Sequence, residues 1–220
     1  MAEREYKMRE TKIFIVRHGQ SQGNATHVYL GHTDLDLSEL GKEQARLTAE
    51  RLKNEKIDAV YSSDLLRAHN TALPHAAMRG LEVIDSKSFR EVFIGDWEGM
   101  YVPDLKERYP KEFMVEWVEN FGTFRAPNGE SVQEATDRFY KEAERVAREN
   151  EGKTILIASH AAVIRGFWGR ISNIAPENLA EAFPFPANAS FSVLTYGDEG
   201  FVPVRFSVND HIPGKDLPLV

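Results

Sequence analysis

Residues 13–19 read Ile-Phe-Ile-Val-Arg-His-Gly, a run of four apolar residues that ends in an arginine, a histidine and a glycine. A short continuous apolar run is typical of a strand buried on both faces of a parallel sheet. Ligands of open α/β sheets bind beyond the carboxyl ends of such strands. This stretch therefore predicts a central strand that delivers Arg17 and His18 to a binding site. Gly19, which has no side chain, would let the backbone approach an anion closely.

The alternation of apolar runs and amphipathic stretches continues along the chain and predicts an α/β fold. We expect a three-layer α/β/α sandwich with a mainly parallel central sheet. Two further runs around Gly197 and Gly200 alternate apolar and other residues, which predicts a hairpin and hence one antiparallel edge. The predicted strands are 13–16, 57–61, 81–84, 154–158, 191–196 and 201–206, and the predicted helices are 39–54, 64–78, 130–149 and 161–171.

The domain organisation follows from the length and from one interruption of this rhythm. A chain of 220 residues suits a single α/β domain over residues 1–220. An aromatic-rich segment breaks the alternation, and we expect it to form a small helical lobe inserted at 97–127.

Composition excludes several classes of function. The net charge of -7 argues against a nucleic-acid partner, because neutralising phosphates requires an excess of Lys and Arg. The absence of cysteine excludes disulfides, thiolate nucleophiles and zinc-thiolate sites. The amino-terminal residues 1–10 are charged and lack the apolar segment of a secretion signal, and no apolar run is long enough to span a membrane. The sequence therefore predicts a cytoplasmic protein without a membrane partner, and it leaves homo-oligomerisation open.

Polar residues with related chemistry follow four of the predicted strands. His18 follows the first strand, His160 follows the strand at 154–158, and Arg67 lies just inside the helix after the second strand. The third strand leads to Arg90 and Glu91. Burying such groups in a core is costly unless they are paired, so their convergence on one rim favours an anion-binding catalytic pocket.

Each residue type suits the transfer of a phosphoryl group. Arginine offers planar paired donors that match phosphate oxygens. A neutral imidazole is a nucleophile near neutral pH, and a carboxylic acid can protonate a leaving alkoxide. Arg17, Arg67 and His160 could stabilise the charge that develops on the phosphoryl oxygens, with Glu91 as the acid.

These residues lie in motifs that resemble those of the histidine phosphatase superfamily, which includes the cofactor-dependent phosphoglycerate mutases. The resemblance extends over nearly the whole chain, and the form of the motif around Glu91 is typical of the phosphatase branch. One departure is Ala161, which stands where many members have glycine. The motifs are Arg17-His18-Gly19-Gln20-Ser21 with Asn24, then 31–38, 62–68, Arg90-Glu91 with 95–99, 127–131 and Ser159-His160.

The resemblance implies a role for each matching residue. It implies that His18 is the phosphorylated nucleophile, that Glu91 is the proton donor, and that Arg17, Arg67 and His160 bind the phosphoryl group. Asn24 is a further predicted phosphate contact, Gly31 lies where the family's loop approaches the substrate, and Arg90 is a predicted substrate-binding residue. Asp64, Asp96 and Glu98 are nearby carboxylates that could be confused with Glu91.

The sequence therefore predicts a phosphomonoesterase that hydrolyses a small phosphorylated metabolite through phosphohistidine, without metal or organic cofactor. A phosphoglycerate mutase is the main alternative, because it would use the same residues. The short, partly acidic segment after Glu91 favours the phosphatase. A metallophosphatase and a phospho-ligand binding module remain as further alternatives. The motifs do not identify the natural substrate.

Overall fold

Strand β1 (Thr11–Arg17) lies inside a six-stranded sheet in the computed structural model, which describes residues 7–213. The strand order is β3-β2-β4-β1-β5-β6. Strands β1 to β4 run parallel, whereas β5 is antiparallel to β1 and β6 is antiparallel to β5. The mainly parallel sheet with one antiparallel edge is thereby confirmed. The other strands are β2 (Ala59–Ser62), β3 (Val83–Asp85), β4 (Thr154–Ser159), β5 (Phe191–Gly197) and β6 (Gly200–Val208).

Helices cover both faces of this sheet. Because successive side chains of a strand point to opposite faces, β1 contributes to two separate cores. Ile13 and Ile15 belong to one core with residues of α5 and α6, while Phe14 and Val16 belong to the other with residues of α3. This arrangement confirms the three-layer sandwich. The α-helices are α1 (Gln22–Thr26), α2 (Glu39–Arg51), α3 (Leu66–Ala77), α4 (Val102–Arg108), α5 (Val132–Glu149), α6 (Ala161–Ile171) and α7 (Leu179–Ala182).

Local side-chain contacts explain where the helices begin. The hydroxyl of Ser38 accepts a hydrogen bond from the backbone N–H of Gly41, so Ser38 is the N-cap of α2. Helix α5 begins two residues later than predicted, because Ser131 and Glu134 form a capping box immediately before Val132. Helix α3 continues past Pro74 and ends at Ala77.

The segment 97–127 contains short helices whose aromatic side chains are buried. Its regular elements are α4, a π-helix at Pro110–Glu119 and a 3-10 helix at Phe121–Thr123. Trp97 and Phe113 are buried in the same core as Ile13. The segment therefore packs on the main core, and its status as an inserted lobe remains a prediction.

No helix between residues 7 and 213 is long and apolar enough to cross a membrane. Residues 1–6 and 214–220 lie outside the described part of the chain. The predictions of a charged, signal-free amino terminus and of a domain extending over 1–220 concern these residues in part.

His75 provides a prediction about stability. Its side chain is 0% exposed, and burial lowers its pKa to about 3. The unfolded chain has a histidine pKa of about 6.5. Protonation therefore favours the unfolded chain, and the contribution of His75 to stability is complete above pH ~6.5 and lost as the pH falls towards about 3.

We expect His75→Leu to make folding less sensitive to acid. Between pH 7.5 and 5 the wild type should lose about 2 kcal/mol more of its free energy of unfolding than the variant. Urea unfolding at the two pH values measures this difference. His27→Asn at an exposed position is the control and should keep the wild-type pH dependence. Parallel losses in wild type and His75→Leu would refute the assignment to His75.

Candidate active site

The two predicted catalytic histidines are brought together by the pairing of β1 with β4. Arg17 lies opposite Ser159 in the parallel register, and the next N–H, of His18, donates to the carbonyl oxygen of Ser159 at 2.9 Å. His160 follows immediately, so its ring centroid lies 5.1 Å from that of His18. Both histidines are buried. The sheet order thus places side chains 142 positions apart in adjacent positions on one rim.

The hydrogen bond of His18 determines its tautomer. Nδ1 lies 2.7 Å from the carbonyl oxygen of Gly19, and a carbonyl oxygen can only accept. Nδ1 must therefore carry the proton, which leaves the lone pair on Nε2. Burial lowers the pKa of His18 well below its usual value, and the positive charges of Arg67 and Arg17 lower it further. His18 is thus a neutral imidazole with a free Nε2 near neutral pH, as a nucleophile requires.

Two buried guanidinium groups lie next to His18. Arg67 is 1% exposed and donates from Nη1 to the carbonyl of Thr33 and from Nη2 to that of Gly31, at 2.9 and 2.7 Å. Arg17 donates from Nη1 to the carbonyl of Pro186 at 2.6 Å. Burial lowers the pKa of Arg67 to about 10, so the group remains charged at neutral pH. Carbonyl partners fix the direction of Arg67 without neutralising it, and it can therefore attract an anion.

Gly31 helps to orient Arg67 through its backbone carbonyl group. A side chain there would place Cβ 2.3 Å from Oε1 of Glu98 and 2.6 Å from the carbonyl oxygen of Val92. Its carbonyl oxygen accepts from Arg67, and Gly31 is not among the residues that line the pocket. The predicted approach of Gly31 to substrate remains a prediction, whereas its contact with Arg67 is a structural fact.

The absence of a side chain at Gly19 has a packing reason. A Cβ on Gly19 would lie 2.4 Å from the carbonyl oxygen of Gly41, at the start of α2. The glycine therefore allows this loop to pack against α2. This close approach is to the protein's own backbone, whereas the approach to a bound anion that the sequence predicts is not tested by it.

Glu98 holds the loop that carries the partners of Arg67. Its carboxylate accepts from the backbone N–H of His32 at 2.6 Å and from the N–H and hydroxyl of Thr33 at 2.8 and 2.6 Å. It is therefore a positioning residue for Arg67, although the sequence alone left it as a competitor of Glu91.

We expect Glu98→Gln to lower kcat by about 100-fold, a typical consequence of misplacing a catalytic group by about 1 Å. The amide presents an NH2 group to backbone donors, so the loop at 31–33 should shift and take Arg67 with it. Steady-state kinetics measures the effect, and thermal unfolding separates it from loss of the fold. Glu107→Gln, at an exposed position of α4, is the matched control. Wild-type kcat in Glu98→Gln would refute the positioning role.

Glu91 is the acidic residue that lines the pocket beside His18. Its carboxyl oxygens accept from the first backbone N–H groups of α6, those of Ala162 and Val163, each at 3.0 Å. The other two acidic candidates lie in different contacts. Asp64 is paired with Arg90, and Asp96 accepts from the side chain of Asn128. The structure thereby separates Glu91 from the carboxylates with which it could be confused.

The cavity next to His18 measures about 620 Å³, part of it open to solvent. Its lining combines polar and charged side chains with apolar and aromatic ones. The lining residues are Arg17, His18, Ser21, Asn24, Tyr29, Leu30, Arg67, Glu91, Ile94, Trp117, Ala161, Ala162 and Phe185.

The remaining predicted site residues differ in their placement. Asn24 lines the cavity, and its Oδ1 accepts from the side chain of Asn188 at 3.2 Å. His160 lies against His18, and neither of its ring nitrogens has a hydrogen-bond partner within residues 7–213. Burial lowers the pKa of His160 well below its usual value.

Arg90 does not line the cavity and instead makes a bidentate ion pair with Asp64 at 2.7 and 2.6 Å. Its role in substrate binding remains a prediction.

Sequence reasoning missed several residues of the cavity wall, among them the aromatic residues Tyr29 and Phe185. Both lie in irregular segments without a motif or periodicity that could have singled them out. Trp117 lies in the aromatic-rich segment at 97–127, and it contacts both the core and the cavity. Within residues 7–213, no group of three or more His, Cys, Asp or Glu side chains is arranged to hold a metal ion.

A family model for the histidine phosphatase superfamily (branch 1) matches residues 13–209. The chain belongs to this superfamily. Phosphoserine phosphatase 1 of Hydrogenobacter thermophilus is 33% identical to this histidine phosphatase over 202 residues, which cover 91% of this chain and 94% of the relative. A metal-independent phosphoserine phosphatase of Arabidopsis thaliana is 31% identical over 221 residues, which cover 96% and 90%.

A solved structure with the same fold extends these similarities. The mycobacterial glucosyl-3-phosphoglycerate phosphatase in complex with VO3 has a TM-score of 0.82 and 28% identity. The match covers 90% of this histidine phosphatase and 99% of the mycobacterial chain. The relatives thus support the phosphatase interpretation of the catalytic pocket.

Proposed function

We propose that this protein hydrolyses small phosphomonoesters by transferring the phosphoryl group first to His18 and then to water. The observation that carries the proposal is the state of His18. Its Nδ1–H is held by Gly19, and its neutral ring lies next to two buried cations, Arg17 and Arg67. This combination provides a nucleophile and the charge that an incoming phosphate needs.

In the first step, Nε2 of His18 attacks phosphorus and forms a P–N bond while the P–O bond to the leaving group breaks. Arg17 and Arg67 stabilise the negative charge on the phosphoryl oxygens that do not react. Glu91, in its protonated form, transfers a proton to the departing alkoxide and becomes a carboxylate. The products are a free alcohol and phosphohistidine.

In the second step, the oxygen of a water molecule attacks phosphorus while the Glu91 carboxylate takes a proton from that water. The P–N bond breaks, inorganic phosphate forms, and both His18 and Glu91 return to their starting states. His160, 5.1 Å from His18 by ring centroids, supplies a further donor for a phosphoryl oxygen through the N–H that its neutral ring carries. Side chains perform every step, so the reaction requires neither a metal ion nor an organic cofactor.

The names of the relatives support a small phosphorylated metabolite as the substrate class. Two relatives are phosphoserine phosphatases, and one solved structure is a glucosyl-3-phosphoglycerate phosphatase. The cytoplasmic location and the absence of nucleic-acid and membrane partners stay predictions. A homo-oligomer is compatible with the proposed function.

The test is release of phosphate from p-nitrophenyl phosphate in excess EDTA. We expect turnover that EDTA does not reduce, together with a radiolabelled phosphoprotein after rapid quenching. A phosphoramidate is stable in base and labile in acid, so the label should survive alkali and be lost in acid. Turnover without a trapped label, or a label with the opposite stability, would contradict the phosphohistidine route.

The phosphoglycerate mutase alternative has its own measurement. Interconversion of 2- and 3-phosphoglycerate that depends on 2,3-bisphosphoglycerate, and that is faster than phosphate release, would replace the proposed function. We expect no such interconversion above the rate of hydrolysis.

A further inference from the structure

The charged groups that line the cavity are all used by the proposed chemistry. Among the described lining residues these are Arg17, Arg67 and Glu91, with His18 as the nucleophile. The arginines face the phosphoryl group, and Glu91 serves the bridging oxygen. No further lining residue within the described part of the chain carries a charge that could match one on the leaving group.

Part of the wall of the cavity that Glu91 lines is aromatic. The rings of Tyr29 and Trp117 meet edge to face with centroids 5.7 Å apart, and Trp117 stacks on Phe185 at 5.9 Å with an angle of 27°. The side chain of Trp117 donates to the Tyr29 hydroxyl, so the polar atoms of these two rings are directed at each other. Burial, together with the negative charge of Glu91, raises the pKa of Tyr29 well above its usual value and keeps it a neutral phenol.

A cation lies behind this wall and is separated from the cavity by Phe185. The guanidinium of Arg165 lies 4.3 Å from the ring centroid of Phe185 and 4.6 Å from that of Phe121. It donates to the carbonyl oxygens of Phe183 and Ala180 at 2.7 and 2.8 Å. Arg165 is buried and does not line the cavity. The positive charge nearest to the aromatic wall is thus covered by an aromatic ring.

The position of the wall determines what it can contact. Glu91 must lie within hydrogen-bond distance of the bridging oxygen to protonate it, so the remainder of the leaving group extends next to Tyr29, Trp117 and Phe185. A carboxylate placed against these rings would lose its hydration without gaining a partner, because the faces of aromatic rings are electron-rich. An apolar chain or the C–H face of a ring would gain burial and contact.

We propose that the substrate of this phosphatase has a leaving group that carries no carboxylate and presents an apolar or ring face, and that Tyr29, Trp117 and Phe185 determine this specificity. The inference rests on the proposed function, because it concerns the leaving group of the same reaction. It sets this chain apart from relatives named for phosphoserine and for a phosphoglycerate derivative, which carry a carboxylate outside the phosphate.

Matched substrates test the inference in the wild-type protein. Glycerol 3-phosphate and 3-phosphoglycerate differ in one end group, a neutral hydroxymethyl or a carboxylate. We expect kcat/KM to be at least about 100-fold higher for glycerol 3-phosphate. The kcat/KM for benzyl phosphate should exceed that for O-phospho-L-serine by a similar or larger factor, because the benzyl ring contacts the aromatic wall.

The outcomes separate the inference from the proposed function. Hydrolysis of p-nitrophenyl phosphate together with comparable kcat/KM for the charged and uncharged partners would overturn the inference and leave the phosphatase intact. Failure to hydrolyse p-nitrophenyl phosphate and every member of both pairs would overturn the proposed function, and the inference would fall with it.

Removing Phe185 provides a second test, because it should uncover Arg165. We expect Phe185→Ala to raise the ratio of kcat/KM for 3-phosphoglycerate over glycerol 3-phosphate by about 10-fold, an effect typical of one new ion pair of moderate strength. Phe183→Ala is the matched control. Phe183 is half-buried like Phe185, does not line the cavity, and contacts Arg165 only through a backbone oxygen that the substitution retains.

A double variant identifies the source of the gain. Phe185→Ala combined with Arg165→Met should return the ratio to its wild-type value, with circular dichroism confirming that both proteins fold. An unchanged ratio in Phe185→Ala would show that the aromatic wall does not exclude carboxylates and would overturn the assignment to these residues.

Discussion

Alanine at His18 is expected to lower kcat for p-nitrophenyl phosphate by at least about 10⁴-fold, the scale seen when a covalent nucleophile is removed. The physical reason is the loss of the only proposed P–N bond-forming atom, Nε2. The radiolabelled phosphoprotein should also disappear, since no other step of the proposed route forms one. Burst-phase kinetics and rapid quenching measure both effects on the same samples.

His69→Ala is the matched control for this loss. His69 lies on α3 and contacts Asp85 at 2.8 Å, away from the cavity. The control should keep the wild-type kcat and the wild-type label. Substantial turnover in His18→Ala with an intact fold would remove His18 from the role of nucleophile.

Arg67→Ala has the second-largest expected effect, a fall in kcat/KM of about 10³-fold. The guanidinium is buried and oriented by the carbonyl oxygens of Gly31 and Thr33, so its two-donor geometry is set before substrate arrives. Arg67→Lys should recover little of the loss, because a lysine lacks the planar pair of donors. Steady-state kinetics of the three proteins measures the series.

A change in pH dependence distinguishes this electrostatic role from a structural one. The positive charge of Arg67 contributes to the lowered pKa of His18, so removing that charge should raise the His18 pKa. The acid limb of kcat/KM, which reports the free enzyme, should therefore move to higher pH in Arg67→Ala. A merely destabilised variant would lose activity without this shift.

Arg51→Ala serves as the control for charge removal. Arg51 lies at the end of α2 and pairs with Asp210 at 3.5 Å, outside the cavity lining. It should leave both kcat/KM and the acid limb unchanged. An equal loss in Arg51→Ala and Arg67→Ala would indicate a general dependence on net charge and would count against the specific role of Arg67.

Much of the fold could be predicted because burial on both faces of a sheet leaves a direct mark on the sequence. The apolar run at 13–16 and the stretch at 154–158 were correctly predicted as strands of a mainly parallel sheet, and the structure pairs them as neighbours. The predicted first and last residues of the helices were less accurate. Helix α3 begins at Leu66, whose N–H is bonded to the side chain of Asp34, whereas the periodicity had placed its start at Asp64. A contact across 32 residues is invisible to a local pattern.

The candidate site shows the same division between local and distant information. His18 and His160 follow their strands directly, so the sequence indicates both the residue types and the rim on which they lie. The approach of Trp117 and Phe185 to that rim depends on how the segments after Glu91 and after α7 fold back onto it. Arg90 was a reasonable candidate from its place beside Glu91, and only the folded chain pairs it with Asp64.

The sequence by itself determined the class of fold and the order of the motifs, and it predicts His18 as the nucleophile, because these depend on hydrophobic runs and on residues adjacent to them. The tertiary structure alone decided the tautomer of His18, the separation of Glu91 from the neighbouring carboxylates, and the aromatic wall in front of Arg165. These features depend on distances between side chains from separate elements. Such distances are set by packing and loop closure, and the spacing of residues along one element does not determine them.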